Sequence, residues 1–308
     1  MKENTITVIG SSNIDFLMKM EQLPKLGETV TDAEFKQVYG GKGANQAVAA
    51  ARSGGQVCFV SCVGDDDLAP GFIQAMKADN INLEHVFHEK GISTGTAFIM
   101  IGEQGHNYIS VAPGANYRLT PHYIDQLDEL IEKSAVIVMQ FEIPADTVQH
   151  IIEKANSFNT PIVWNFAPAK KFDMKYLQYV DYLMANETET EFLTGLPVNN
   201  DDEIKKAAGK LLEMGVKTVI MTLGSRGAYF KTRQEEGFID GYHVDAVDTT
   251  AAGDVFSGSF TAAIVEGKSM DEALRFANAA AAVSVTRLGA MPSAPTRNEI
   301  EDFLMMQN

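Results

Sequence analysis

Cysteine, tryptophan and positive charge are all scarce in this chain. Its 308 residues hold two cysteines, Cys58 and Cys62, and one tryptophan. In an extended strand an i, i+4 pair lies about 13 Å apart, too far for a disulfide. Both therefore read as buried thiols, and no disulfide framework is expected. Lys and Arg number 25 against 41 Asp and Glu, a formal charge of −16. That deficit opposes binding to nucleic acid or to anionic membranes. No apolar run approaches bilayer length, and Met1–Asn4 leads into a strand-like run rather than a signal-peptide core, so the expectation is a cytoplasmic enzyme. Two phosphate-loop signals are also missing. Gly267-Lys268-Ser269 ends like a Walker A loop, but Ala262 stands where a glycine is required and the segment follows a helix. No GxGxxG follows a strand, since Gly41-Lys42-Gly43 continues as Ala44-Asn45-Gln46, which argues against a nicotinamide-dependent oxidoreductase. His85 and His88 lack a third ligand at metal spacing and read as surface histidines.

What is present is an ordinary globular composition, 45% hydrophobic and 21% charged, with enough length to bury a large core. Strand-like runs at 5–9, 57–63, 135–141, 161–166, 182–185 and 218–223 alternate with helical stretches at 44–52, 68–78, 145–155 and 202–214. Helices at 253–265, 271–287 and 296–306 close the chain. This rhythm predicts an α/β fold, a doubly wound and mostly parallel sheet flanked by helices. Two extended stretches fall outside it, approximately 13–38 and 94–112, the second carrying hairpin chemistry at Gly102-Glu103-Gln104-Gly105. They predict a small separate sheet within one domain spanning 1–308, because no linker or repeat divides the chain.

The most informative segment is Asp248-Thr249-Thr250-Ala251-Ala252-Gly253-Asp254, where small residues run directly into an apolar helix. A helix starting near Ala251 presents free N–H groups and a partial positive charge, and the small side chains let a phosphate reach the backbone. An anion site is thereby built inside a negative molecule. Asp254, in the first helical turn, is placed to take a proton from an attacking hydroxyl. A Gly-Asp pair before a helix is otherwise an ordinary cap. The surrounding motifs decide between the two.

GGKGANQAVAA at 40–50 and DTTAAGDVFSGSF at 248–260 resemble the two signatures of the ribokinase-like, or PfkB, carbohydrate kinases. They stand in the family's order and spacing, with Asn186-Glu187-Thr188-Glu189 matching its NxxE motif and Thr222-Leu223-Gly224-Ser225-Arg226-Gly227 its nucleotide segment. The resemblance covers essentially the whole chain. It implies ATP as phosphoryl donor and, through the 13–15 segment and GGKGANQ, D-ribose as acceptor at O5. It assigns the sugar site to Asn13, Asp15, Gly41, Lys42, Gly43, Asn45 and Glu142, the base to Asp254, and the anion hole to Ala251, Ala252, Gly253 and Asp254. For the nucleotide it implies Asn186, Thr222, Gly224, Ser225, Gly227, Gly253 and Asn278, with Glu189 organising Mg²⁺ through water. A K⁺ site at Asp248, Thr250, Ser284, Arg287, Gly289 and Ser293, several through carbonyls, is implied as well. The small sheet then resembles a β-lid that covers the sugar and forms a homodimer contact.

Two other readings have discriminating features. A non-catalytic sugar or nucleotide sensor has no need of a carboxylate at the anion hole, and here Asp254 and Gly253 are both intact. Within the kinases, a sugar or nucleoside other than ribose is the alternative acceptor. A sugar-phosphate acceptor would want extra Lys or Arg in the pocket.

Overall fold

The computed structural model describes residues 3–102 and 106–307. Strand β1 (Thr5–Ile9) leads into β2 (Asn13–Met20) and β3 (Glu34–Gly40), followed by α1 (Lys42–Arg52), β4 (Gln56–Gly64), α2 (Ala69–Ala78), β5 (Val86–Glu89), β6 (Gly95–Gly102) and β7 (Asn107–Ala112). Next come α3 (Pro121–Ile124), α4 (Asp128–Lys133), β8 (Val136–Met139), α5 (Ala145–Ser157), β9 (Ile162–Asn165), β10 (Tyr182–Asn186), α6 (Glu187–Thr194) and α7 (Asp201–Glu213). The chain ends with β11 (Thr218–Thr222), β12 (Ala228–Lys231), β13 (Glu236–Ile239), α8 (Ala252–Glu266), α9 (Met270–Val285) and α10 (Arg297–Gln307).

The large sheet has the order β13-β12-β11-β10-β9-β8-β1-β4-β5 and is parallel from β11 to β5. Its strands are apolar on both faces, as crossover helices on both sides require. Ile6 and Val8 of β1 face one core with α1, α2, α8 and α9, whereas Ile9 faces the other with α5 and α7. The same alternation puts Val136 and Val138 of β8 in the first core and Ile137 and Met139 in the second. The antiparallel β12–β13 hairpin at one edge departs from the parallel rhythm. Its strands are four residues each and show no polar–apolar alternation, so periodicity gave them no signal.

The expected smaller sheet is present, ordered β3-β2-β6-β7, with β2–β6 parallel and the other pairs antiparallel. Residues 103–105 of the hairpin turn lie outside the described residues. The sheet joins the main body at short connections. Gly10–Ser12 link β1 to β2, and Gly41 alone separates β3 from α1. A Cβ at Gly41, whose φ is 91°, would meet Asn13 N at 2.8 Å and Ser11 O at 2.9 Å, so only glycine lets the two sheets meet this closely. The carboxyl ends of β1, β8, β9, β10 and β11 therefore open beneath the base of the smaller sheet, where ligands of open α/β sheets bind.

Candidate active site

Helix α8 is apolar nearly all round because it is wedged between α1, α9 and the sheet. Its approach to α1 is fixed at Gly258, where a Cβ would meet Ala49 Cβ at 2.7 Å and Ala50 N at 2.8 Å. That contact brings the amides of Asn45 and Gln46 onto the first turn of α8. Asn45 Nδ2 donates to Asp254 Oδ2 at 3.0 Å, and Gln46 Nε2 donates to Oδ1 at 2.9 Å. Gln46 is held in turn by Gln140, whose Nε2 donates to Gln46 Oε1 at 2.7 Å. Asp254 is thus oriented on both oxygens while being 4% exposed. Burial pushes its carboxyl above the ordinary range, and the charge of Lys42 and the two amide hydrogen bonds partly oppose this. A carboxylate raised by burial beside a cation is a competent proton acceptor.

Lys42, three and four residues before those amides on α1, shares their face. Its ammonium is raised, first by Asp254 and, after the opposing cost of burial, by Glu142 and Glu189. Glu142 follows β8 and is fixed by Ser11 Oγ at 2.6 Å and Lys42 N–H at 3.1 Å, both donating to Oε2. Ser11 Oγ accepts from Gly43 N at 3.2 Å, and a Cβ at Gly43 would strike Ser11 N at 2.5 Å. On β2, Asn13 Oδ1 accepts from Asn116 Nδ2 at 2.8 Å. Asp15 is 8% exposed against Gly40, and no donor among the described residues reaches its carboxylate. Burial, with Glu142 nearby, pushes it up to about 7. Asn13, Asp15, Gly41, Lys42, Gly43, Asn45 and Glu142 thus converge where the two sheets meet.

A cavity of about 210 Å³ adjoins this cluster, lined among others by Lys42, Asn165, Asn186, Glu189, Thr222 and Gly253, with Asp254 on its wall. Ala251 caps α8 in the left-handed conformation, φ 61°. Ala252 N–H turns back to Thr249 O at 3.3 Å, so of the anion hole expected from Ala251, Ala252, Gly253 and Asp254 the Ala252 N–H is committed, while Gly253 and Asp254 in the first turn of α8 keep theirs. A Cβ added at Gly253 would meet nothing within 4 Å, as a face left open for a ligand requires.

Asn186 and Glu189 form a reciprocal capping box at the start of α6. Asn186 Oδ1 accepts from Glu189 N at 2.8 Å, and Glu189 Oε2 accepts from Asn186 N at 2.9 Å. The cap does not exhaust Glu189. Burial raises its carboxyl, and the charges of Lys42 and Asp254 act on it across the cavity. Gly224, Ser225 and Gly227 follow β11 in a tight turn, closed by Leu223 N donating to Gly227 O at 2.8 Å. Asn278 ties down the neighbouring loop, donating to Ile239 O and Asp240 O at 3.2 Å each. Asp248 joins its own loop to the end of α9, accepting from Thr250 N and Gly289 N at 2.9 Å each. Ser284 and Ser293 spend their hydroxyls on carbonyls three residues back, and the Arg287 guanidinium goes to Glu299 at 2.6 Å.

Sequence reasoning passed over Ser11, Gln46, Gln140, Asn116 and Asn165. Gln46 had a signal, being four residues after Lys42 on one helix face. Gln140 and Asn165 read only as the ends of apolar strands. Asn165 Oδ1 is buried in the cavity wall without a partner among the described residues. A larger groove of about 380 Å³ beside Lys90, Arg118 and His122 contains none of these side chains.

Residues 3–297 match the family model described as pfkB family carbohydrate kinase. The chain is 41% identical over 300 residues to a ribokinase of Haemophilus influenzae, covering 97% of this chain and 98% of that protein. It is 38% identical over 302 residues to a deoxyribokinase of Salmonella typhi, covering 98% and 99% respectively. The solved structure of Arabidopsis thaliana ribokinase complexed with ribose and ATP superposes with a TM-score of 0.93 at 32% identity, over 99% of each chain.

Proposed function

The chain belongs to the pfkB family of carbohydrate kinases, and from that premise we propose that it transfers the γ-phosphate of ATP to the O5 hydroxyl of D-ribose. The observation that carries this reading is Asp254, a buried carboxylate oriented by two amides at the mouth of the open N-terminus of α8. The ribose hydroxyls bind Asn13, Asp15, Lys42, Asn45 and Glu142. The triphosphate enters the 210 Å³ cavity toward Gly253. O5 lies between Asp254 and the γ-phosphate, Asp254 takes its proton, and the N–H groups of Gly253 and Asp254 with Lys42 stabilise the transferring phosphoryl. Asn186, Thr222, Gly224, Ser225, Gly227 and Asn278 hold the nucleotide.

Glu189 and Asn165 fit a hydrated Mg²⁺, one as a carboxylate raised by burial, the other as an unpartnered acceptor for a metal-bound water. The ion would supply charge neutralisation on the phosphate oxygens. For K⁺ the fit rests on Asp248, Thr250, Gly289 and the carbonyls around Ser284, Arg287 and Ser293. Burial raises Asp248, but hydrogen bonds from Thr250 and Gly289 bring it below its ordinary range. A cation held there would steady the loop entering the anion hole.

The smaller sheet acts as a lid over the sugar. Phe35, Phe98 and Ile109 on it are more than half exposed, which supports homodimer formation through this sheet. No helix among the described residues is long and apolar enough to cross a membrane. The charge of −16 supports small-molecule partners over nucleic acid, and the use of ATP supports a cytoplasmic location.

The test is ADP release with ribose, deoxyribose, fructose, adenosine and fructose 6-phosphate as acceptors. Ribose is expected to give the highest kcat/KM. Deoxyribose is the informative competitor, because one of the relatives is a deoxyribokinase. If deoxyribose exceeded ribose, the acceptor assignment would fall and the kinase reading would stand.

A further inference from the structure

A primary amide carries a donor and an acceptor in nearly the same shape, so packing leaves open which way round it sits and the hydrogen-bond partners decide. Both donors to Asp254 are such amides. Asn45 is secured at one end, because its Oδ1 has no partner among the described residues. Gln46 is secured at both. Its Nε2 donates to Asp254 Oδ1 at 2.9 Å, while its Oε1 accepts from Gln140 Nε2 at 2.7 Å. Gln140 is the first residue after β8 and is fully buried. Its own Oε1 lies against Gly10, where a Cβ would collide with it, and no donor among the described residues reaches that oxygen. A buried amide left half-satisfied at the end of an apolar strand is costly to keep. What it secures is the direction of Gln46.

We propose that Gln140 is a positioning residue: by occupying Gln46 Oε1 it keeps the Gln46 N–H turned to Asp254, so that the carboxylate, and not its acid, meets the sugar hydroxyl. Without Gln140, Gln46 Oε1 would be buried with no donor, and the amide gains by turning over. The turned amide sets an oxygen against Asp254 Oδ1, a contact that the ionised carboxylate opposes and the protonated acid accepts as a hydrogen bond. A base already protonated cannot take the proton of O5. Lys42, Glu142 and Glu189, the other charged groups that act on Asp254, stay as they are. The role rests on the reading of Asp254 as the base in phosphoryl transfer.

The experiment is steady-state kinetics of the full chain with ATP, Mg²⁺ and ribose from about pH 5.5 to about pH 9, comparing the unaltered protein with Q140M, Q46M and Q46M/Q140M. In Q140M, kcat at pH 7 is expected to fall about tenfold or more while the KM for ATP and for ribose stays within about twofold. The acid limb of its kcat profile should move about one pH unit higher, the worth of one charge-assisted hydrogen bond. Q46M removes a donor without turning an oxygen on the base, so it should lose less. The double variant should match Q46M and so regain part of what Q140M lost. A side chain that merely fills space would lower Tm, and its loss would add to that of Gln46. Q46M/Q140M leaves neither amide orphaned, so its comparison with Q46M decides the matter even where Q140M fails to fold. Native kcat and pH profile in a folded Q140M, or a double variant about tenfold below Q46M, overturns the proposal. Failure of the underlying reading looks different: Asp254→Asn keeps native kcat, or none of the four proteins phosphorylates ribose.

Discussion

Replacing Asp15 with asparagine should make the empty protein more stable and the enzyme worse, and both effects should depend on pH. The Asp15 carboxyl sits at about 7 instead of the ordinary 3.8 because it is buried beside Glu142 with no donor among the described residues. The folded protein therefore holds this proton more tightly than the unfolded chain does. The penalty for ionising it is absent below about pH 4, grows as the pH rises to about 7, and is constant above. In full it amounts to roughly 4 kcal/mol. Asparagine must also be desolvated, so the net gain at pH 8 should be about 2 kcal/mol, or about 4 °C in Tm for a chain of this size. Differential scanning fluorimetry of both proteins from pH 4.5 to 8.5 reads it directly. The difference should shrink as the pH falls and reverse sign toward the acid end, where only the cost of desolvating asparagine remains. Function runs the other way, because sugar hydroxyls donate to the ionised carboxylate. Between pH 8 and pH 6 the ionised fraction falls from about nine-tenths to about one-tenth, so the KM for ribose should rise about tenfold in the native enzyme. In Asp15→Asn the KM should be high and nearly flat over that range. A Tm gain equal at pH 5 and pH 8, or a native KM unchanged between pH 6 and 8, would refute the reasoning.

Asp254→Asn should fold normally, because Asn45 Oδ1 has no partner among the described residues and a flip of that amide accommodates the new NH₂ group. Its kcat should fall by about 10²–10⁴ while nucleotide affinity stays within about threefold, measured by coupled assay and calorimetry. Gly253→Val fills the open face of the anion hole, so the KM for ATP should rise at least about tenfold with ribose affinity unchanged. Gly258→Val forces α8 away from α1, which should cost about 1–3 kcal/mol in denaturant unfolding and reduce kcat by separating Asn45 and Gln46 from Asp254. A Gly258→Val protein as active as the native enzyme would show that the amides do not orient the base.

Much of the α/β framework was legible because crossover helices and doubly buried strands leave strong periodic patterns, as at 57–63 and 145–155. The β12–β13 hairpin was not, because two four-residue strands around a polar turn carry no period. The seven proposed sugar-site positions came from motif resemblance, and the structure brings them to one junction. Their supports were harder to read. Gln140 and Asn116 act through contacts 94 and 103 residues away in sequence, and nothing local marks such a partner. Ala252 shows the opposite limit. Composition indicates an open helix start, but only the turn geometry reveals that its N–H is committed to Thr249.

The central claim is phosphoryl transfer from ATP to the ribose O5, and proton-coupled phosphorus NMR of the product tests it most directly. With ribose, ATP and Mg²⁺, the account predicts a phosphomonoester whose phosphorus couples to the two C5 protons and which is formed in step with ADP. A phosphorus coupled to the single C1 proton, or free phosphate released in place of a sugar ester, would contradict it.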